Sequence, residues 1–161
     1  MKKIRYLIVV FCALATLKAQ AQYEGTFGGG THVNYADKFS TAGIGAHLHY
    51  SFANEWRIAP SYTYYVERRG LALWTAEADL HYMIPASWAV SFYPLAGLNY
   101  ARFKKVKEPD YGKTSNKLGA NIGLGIQYDF RYRVCAVFET KYQLLKDYSQ
   151  FLFSAGIGFW F

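Results

Sequence analysis

Apolar and polar residues alternate along this chain with a period of two. Between 41 and 52, Ile44, Ala46, Leu48, Tyr50 and Phe52 fall on one face of an extended backbone. Gly43, Gly45, His47, His49 and Ser51 fall on the other. Alternation sustained this long describes a strand with one greasy and one polar face; a helix would scatter these residues around its axis. The pattern recurs over 24–35, 56–66, 72–84, 88–102, 116–130, 134–144 and 149–161. Each segment runs about 11 to 15 residues, enough for a tilted strand that needs roughly 9–11 to cross the hydrocarbon of a bilayer. Soluble strands are usually about half that length.

Backbone groups inside hydrocarbon must all be paired, so a sheet that spans a membrane has to close on itself. The sequence therefore predicts an all-β fold, an eight-stranded antiparallel up-and-down transmembrane β-barrel. The polar face is expected to point inward. The apolar faces carry almost no charge, and a soluble barrel would invert the two. Ten of the 14 glycines (Gly28, Gly30, Gly43, Gly45, Gly97, Gly119, Gly123, Gly125, Gly156 and Gly158) share the polar face. A narrow lumen needs such gaps beside Tyr65, Tyr93 and Trp160.

The N-terminus supplies a route to that location. Lys2, Lys3 and Arg5 precede an apolar run from Tyr6 to Leu17, and Ala19-Gln20-Ala21 forms an A-x-A cleavage site. This is the pattern of a signal peptide over 1–21, leaving the barrel domain at 22–161. Four of the 18 basic residues leave with it and none of the 11 acidic ones, which lowers the formal charge from +7 to +3. So modest a charge implies no nucleic-acid partner. Cys12 lies inside the apolar run, behind Phe11 rather than a small residue, which argues against lipidation. Cys135 is the sole remaining cysteine, so no intramolecular disulfide forms.

The links alternate in length. Residues 53–55, 85–87 and 131–133 are tight. Residues 36–40, 67–71, 103–115 and 145–148 are more variable, as expected of periplasmic turns and external loops. An even strand number puts both termini on the periplasmic side. Aromatic residues, 19% of the chain, gather near strand ends (Tyr35, Phe52, Trp56, Tyr64, Trp74, Tyr82, Trp88, Tyr100, Phe130 and Phe161), as two interfacial girdles require. Pro60 and Pro94 interrupt strands and cannot donate to the ladder, so a bulge or a water-accessible site is expected at each.

The segment 151–161, Phe-Leu-Phe-Ser-Ala-Gly-Ile-Gly-Phe-Trp-Phe, resembles the C-terminal sorting signal of outer-membrane proteins. The resemblance implies that the barrel assembly machinery reads Ile157, Phe159 and Phe161. Residues 22–161 as a whole resemble the eight-stranded OmpX/OmpA-like barrels, particularly the small outer-membrane β-barrel family common in Bacteroidetes. Tyr93-Pro-Leu-Ala-Gly97 and Ala19-Gln-Ala-Gln22 share its flavour. It implies an integral outer-membrane location in a Gram-negative envelope and a monomer, and carries little about activity.

Candidate chemistry concentrates on the inward face. His32, His47, His49 and His81 all belong to it, as do Arg57, Glu77, Asp79, Asp129, Glu139 and Lys141. Buried charges need partners, and both signs are present, so a lumen network of Arg57, Glu77, Asp79, His81, Glu139, Lys141, His47 and His49 is expected. A metal site on Glu77-x-Asp79-x-His81 is the sharper reading. Successive side chains on one strand face stand about 7 Å apart, so it would need His47 or His49 as well, and no metal or cofactor is assigned. His49-Tyr50-Ser51 is similar to the His-x-Ser pair of lipid A deacylase barrels, in which the His is base for the Ser. Here the pair points inward, and Phe52 replaces the family's following Asn. The amphipathic N-terminal helix of palmitoyltransferase barrels is missing. No catalytic residue is assigned. The third external loop is basic, with Lys104, Lys105, Lys107 and Lys113 beside Arg102 and Lys117, and Arg68 and Arg69 add to it. Such a loop suits the phosphates of lipopolysaccharide. The expected function is a non-enzymatic structural or surface-interaction protein with a filled lumen. The alternatives are a lipid A-modifying enzyme and a narrow pore.

Overall fold

The structure, a computed structural model, describes residues 24–68, 70–106, 112–130, 133–146 and 148–161. The signal-like segment and the Arg131-Tyr132 link lie outside the described residues. The strands are β1 (Phe27–Ala36), β2 (Thr41–Ser51), β3 (Trp56–Arg68), β4 (Leu71–Tyr82), a two-residue β5 (Ile84–Pro85), β6 (Val90–Lys105), β7 (Thr114–Asp129), β8 (Val134–Leu145) and β9 (Gln150–Trp160). All pairings are antiparallel, and β1 against β9 together with β4 against β6 close the sheet into a barrel. β4 and β5 are one spanning strand, because both pair with β6 in a single register, His81 opposite Leu95 and Ile84 opposite Phe92. Eight spanning strands result. Following Cα partners from Thr31 through Ala46, Tyr62, Ala76 and Tyr100 to Leu118 leads up the barrel rather than round its waist. This is the stagger expected of strands tilted by roughly 35–45°.

The alternation sorts the side chains as expected. Ile44, Val66, Leu98, Leu118, Leu124 and Phe138 are more than half exposed on the outer wall, while His49, Arg57, Thr63, Asp79, Gln127 and Gln143 are buried inside. Aromatic pairs mark both rims of the wall. Trp56 meets Tyr82 at 5.0 Å and Phe27 meets Phe161 at 5.9 Å at the end carrying the short turns. Tyr62, Trp74 and Tyr100 form a chain of contacts at 5.5 Å each toward the other end.

Three expectations are corrected. First, neither proline makes a bulge. The β2–β3 ladder skips Leu48 and His49, opposite Pro60 and Ala59, and resumes in the same register. The β4–β6 ladder likewise lapses opposite Pro94, which is what divides β5 from β4. A missing N–H removes hydrogen bonds without adding a residue, so the strand stays in step. Among the described residues the register shift lies instead between Tyr65 and Arg68, at the loop end of β3. Second, Pro85 belongs to β5 rather than to a turn, and the chain reverses over 86–89, with the amides of Ala86 and Ser87 donating to the Val90 carbonyl at 2.8 and 3.1 Å. Third, the connection expected over 103–115 is shorter, because 103–105 belong to β6 and 114–115 to β7. β6 and β7 stay paired out to Lys104 opposite Thr114, and Phe103 is a buried lumen residue at 4% exposure.

The lumen is layered. At the loop end Ala36, Tyr65, Leu73, Ala101, Phe103, Leu145 and Leu152 form an apolar plug covered by Phe39, Leu71 and Tyr148. At the turn end Met83, Tyr93, Leu95, Cys135 and Val137 form another beneath Trp160. The polar network lies between them. Gly125 shows how tightly the lower layer is packed, since a Cβ there would overlap the ring of Tyr93. Gly125→Ala should displace that ring and cost about 1–3 kcal/mol of stability, the usual overpacking penalty. Urea unfolding in detergent micelles, followed by the mobility difference between boiled and unboiled protein, measures it. An unchanged midpoint would show that this layer is loose.

Candidate functional site

Lys141 occupies the centre of the barrel. It rises from β8, and its ammonium meets Asp79 at 2.7 Å and Glu77 at 2.9 Å, both on β4, and Glu139 at 3.3 Å on its own strand. The Lys141, Glu77 and Asp79 side chains are all at least 94% buried, so this is an ion cluster removed from water. β4 and β8 are separated by β6 and β7, so the lysine stem has to reach across the lumen. Glycines clear the way: Gly97 stands opposite Asp79, and Gly123 stands opposite Lys141.

Neutral side chains complete the cluster. Asn121 donates to Glu77 at 3.2 Å and to Asp79 at 3.0 Å, and itself accepts from Asn99 at 2.6 Å. Gln143 donates to Glu77 at 3.3 Å and accepts from Gln150 at 2.9 Å. The Tyr93 hydroxyl donates to Glu139 at 2.8 Å. A carboxylate without such donors would be costly in a low-dielectric interior.

Arg57 organises the lower half. It donates to Gln127 at 2.6 Å, and Gln127 passes the link to Asp129 at 2.8 and 2.9 Å. Its guanidinium lies 5.0 Å from the Tyr93 ring centre and 5.8 Å from that of Trp160, both favourable cation–π positions. It also donates to His81 Nδ1 at 2.9 Å. Arginine has no acceptor, so the His81 proton sits on Nε2.

The histidines form a ladder. His32 and His47 approach Nδ1 to Nδ1 at 3.2 Å, and the Thr63 hydroxyl lies 2.8 Å from His32 Nε2. His47 stacks on His49 at 4.6 Å, His49 meets His81 edge-on at 6.1 Å, and His81 stacks on Tyr93 at 4.6 Å. Beside this ladder lies a cavity of about 20 Å³, lined by all four histidines, Ser61, Asp79, Glu139, Lys141 and Ser154. That volume holds about one water. His47 Nε2 and His81 Nε2 are buried with no protein partner, and both residues line the cavity.

The structure thus places Arg57, Glu77, Asp79, His81, Glu139, Lys141, His47 and His49 together within the lumen. The metal arrangement is not assembled: Glu77 and Asp79 turn to Lys141 while His81 turns to Arg57, and no three donors converge on an ion site among the described residues. His49 and Ser51 are buried on the lumen face at 3% and 1% exposure, with His49 against Trp160 at 5.6 Å. Asn121 and Tyr93 are the functional positions that charge-based reading overlooks. Their inward parity was visible, but the reach between strands that are not neighbours was not.

The basic group divides. Lys104 and Lys105 belong to β6 rather than to a loop, Lys113 lies just before β7, and Lys107 lies outside the described residues. Arg102 and Lys104 share the outward parity of Tyr100 and Leu98. Among the described residues neither side chain has a hydrogen-bond or ion-pair partner. Lys38 and Lys117 instead approach the Tyr148 ring above the plug, at 5.6 and 5.8 Å from its centre. At the C-terminus, Ile157, Phe159 and Phe161 are all more than half exposed on the outer wall of β9 or just beyond it.

No family model matches the sequence, and no curated protein matches it. Similarity to solved structures is extensive in shape. The N-terminal β-barrel domain of Pseudomonas aeruginosa OprF superposes with a TM-score of 0.76 at 20% identity, covering 87% of this chain and 100% of that one. Neisserial surface protein A gives 0.66 at 18% identity, covering 86% and 98%. A de novo designed transmembrane β-barrel gives 0.61 at 16% identity, covering 88% and 99%. The fold is that of the small outer-membrane barrels.

Removing Lys141 while its three carboxylates stay buried should be severe. Lys141→Ala is expected to cost about 3–5 kcal/mol, the usual penalty for uncompensated buried charge. Glu139→Gln should cost about 1–3 kcal/mol, because Lys141 keeps two carboxylates and Tyr93 keeps an acceptor. The same micelle unfolding assay ranks the two. The reverse order would show that Lys141 is not the centre of the network.

Proposed function

We propose that this protein is a sealed, non-enzymatic barrel of the OmpX/OmpA-like kind, integral to the outer membrane. In this reading both termini face the periplasm, and the basic loop end contacts phosphate-bearing surface lipid. The observation that carries it is the lumen: two apolar plugs enclose an ion cluster, and the cavity at that centre amounts to about 20 Å³. A channel wide enough for hydrated ions has no room beside Lys141 and its carboxylates. A hydrolase needs a nucleophile open to lipid, and Ser51 and Ser61 both face inward.

Orientation follows from charge and loop length. The loop end carries Lys38, Arg68, Arg102, Lys104, Lys105, Lys113, Lys117 and Lys146 against Asp37 and Glu67 among the described residues. The turn end has Arg133 against Glu24 and Glu55. An outer leaflet built on phosphorylated sugars favours the basic end by charge-assisted pairing, and longer connections are usual on that side. The alternating terminal strand, with Ile157, Phe159 and Phe161 outward, supports handling by the assembly machinery. A single barrel that completes its own sheet needs no partner copy.

Planar-bilayer recording tests the sealed lumen. Purified protein at 1 M salt, a concentration on the order of that used to expose narrow pores against strong screening, should give no stepwise conductance above the bare membrane. Regular unitary steps would overturn the reading in favour of a pore.

A further inference from the structure

The outer wall of β3, β4 and β6 carries a groove with a cationic head. The register sets out its rows. Tyr64, Trp74 and Arg102 stand side by side, below them Tyr62, Ala76 and Tyr100, then Pro60, Ala78 and Leu98, then Ile58, Leu80 and Ala96. Ala78 is therefore a low floor between two taller walls, Pro60 and Leu98, while one row above it the Trp74 ring stands 5.5 Å from both Tyr62 and Tyr100 and fills the space between them. Adjacent strands lie about 4.8 Å apart, so the channel between those walls is about 10 Å wide, the width of one acyl chain with its van der Waals contacts. Toward the turn end the floor opens into an apolar depression of about 1130 Å³ bordered by Leu80, Pro94, Ala96, Ile122 and Leu124.

The head of the groove is charged. Arg102 sits beside Trp74, and Lys104 follows two residues further along the same outward face of β6. Neither has a protein partner among the described residues. Tryptophan and tyrosine settle at the level of lipid head groups, so the Tyr62–Trp74–Tyr100 chain places the two cations at phosphate height. An arginine there presents a fork that fits two phosphate oxygens. About 20 Å of strand separates Arg102 from Ala96 at roughly 3.3 Å per residue, which matches the extended length of a lipid tail.

We propose that this groove is a binding site for one phosphorylated glycolipid of the outer leaflet. Arg102 and Lys104 hold its phosphate, the sugar rests against Tyr100, and one acyl chain crosses the outer face of the Trp74 ring and lies over Ala78 with its end in the depression by Ala96. The site rests on the reading that the loop end faces outward, and names the residues that make the contact. It differs from the cations at the mouth, where Lys38 and Lys117 approach the Tyr148 ring above the loop-end plug.

Full-length protein matured in a Gram-negative host and purified in detergent provides the test, with bisphosphorylated hexa-acyl lipid A as probe in native mass spectrometry. Wild-type protein should retain one lipid A and should prefer it over phosphatidylcholine by at least tenfold. R102Q/K104Q should lose at least tenfold in retention. Ala78→Leu, which fills the floor without changing charge, should lose a similar factor. Arg133→Gln, an exposed cation at the opposite end of the barrel, should behave as wild type. The boiled-against-unboiled gel shift verifies that each variant is folded. Binding of inorganic phosphate alone, equal retention by R102Q/K104Q and R133Q, or full retention by A78L would overturn the site. Orientation is read separately, by labelling a Lys146→Cys variant on intact cells with a membrane-impermeant maleimide. Failure to label would sink the outward reading, whereas labelling combined with unchanged lipid retention in R102Q/K104Q would sink the groove alone.

Discussion

Every amide and carbonyl in the wall must find a partner within the wall. In water an open sheet edge is a liability, but in hydrocarbon it is prohibitive. The pairing of β1 with β9 is therefore the contact on which the rest depends, since it joins the two ends of the sheet and removes both edges. Once the barrel is closed, the period of two becomes binding. A residue faces lipid or lumen according to its parity, and a slip of one position would turn Arg57, Asp79 and Lys141 into the membrane. Pro60 and Pro94 show the tolerance of the arrangement. Each removes donors from one ladder, and the register on both sides remains continuous.

Closure also makes a problem that the lumen must solve. Eight strands leave an interior too narrow for bulk water and too polar, by parity, to be an oily core. The charges inside are four carboxylates (Glu77, Asp79, Asp129 and Glu139) against Arg57 and Lys141, and they are handled by distribution rather than one-to-one pairing. Lys141 serves three carboxylates, and Arg57 reaches Asp129 through Gln127. Asn121 and Gln143 donate their amide hydrogens where charge is in excess. The two apolar plugs keep bulk water out of this middle layer, which strengthens its internal attractions and raises the cost of losing any one of them.

Much of this was legible in the sequence, because a period of two is a local property. The eight crossings, the inward set of histidines and charges, and the outward aromatics all follow from parity alone. The failures occur where parity is obscured. Lys104-Lys105-Val106-Lys107 puts cations at consecutive positions, so the extension of β6 looked like a loop and Phe103 was read outside the lumen. The plugs were missed because Leu73, Leu95, Ala101 and Leu152 are apolar on the face expected to be polar. The contact of Lys141 with Glu77 depends on the stagger accumulated across two intervening strands. Only the complete register supplies that quantity, and no local motif announces it.

The cations illustrate how placement rather than residue type decides a role. Lys141 and Lys104 have the same side chain and both project from a barrel strand. One lies on the inward face among carboxylates, so its charge is consumed by the protein and its task is to hold the fold. The other lies on the outward face above Trp74 and Tyr100, where no protein group among the described residues answers it. A lumen filled by its own side chains leaves the wall and the loop rim as the surfaces open to contact. Charge left unanswered on that exterior has to be balanced by the surroundings, and on this wall it stands above an apolar surface with its lowest point at Ala78, between Pro60 and Leu98.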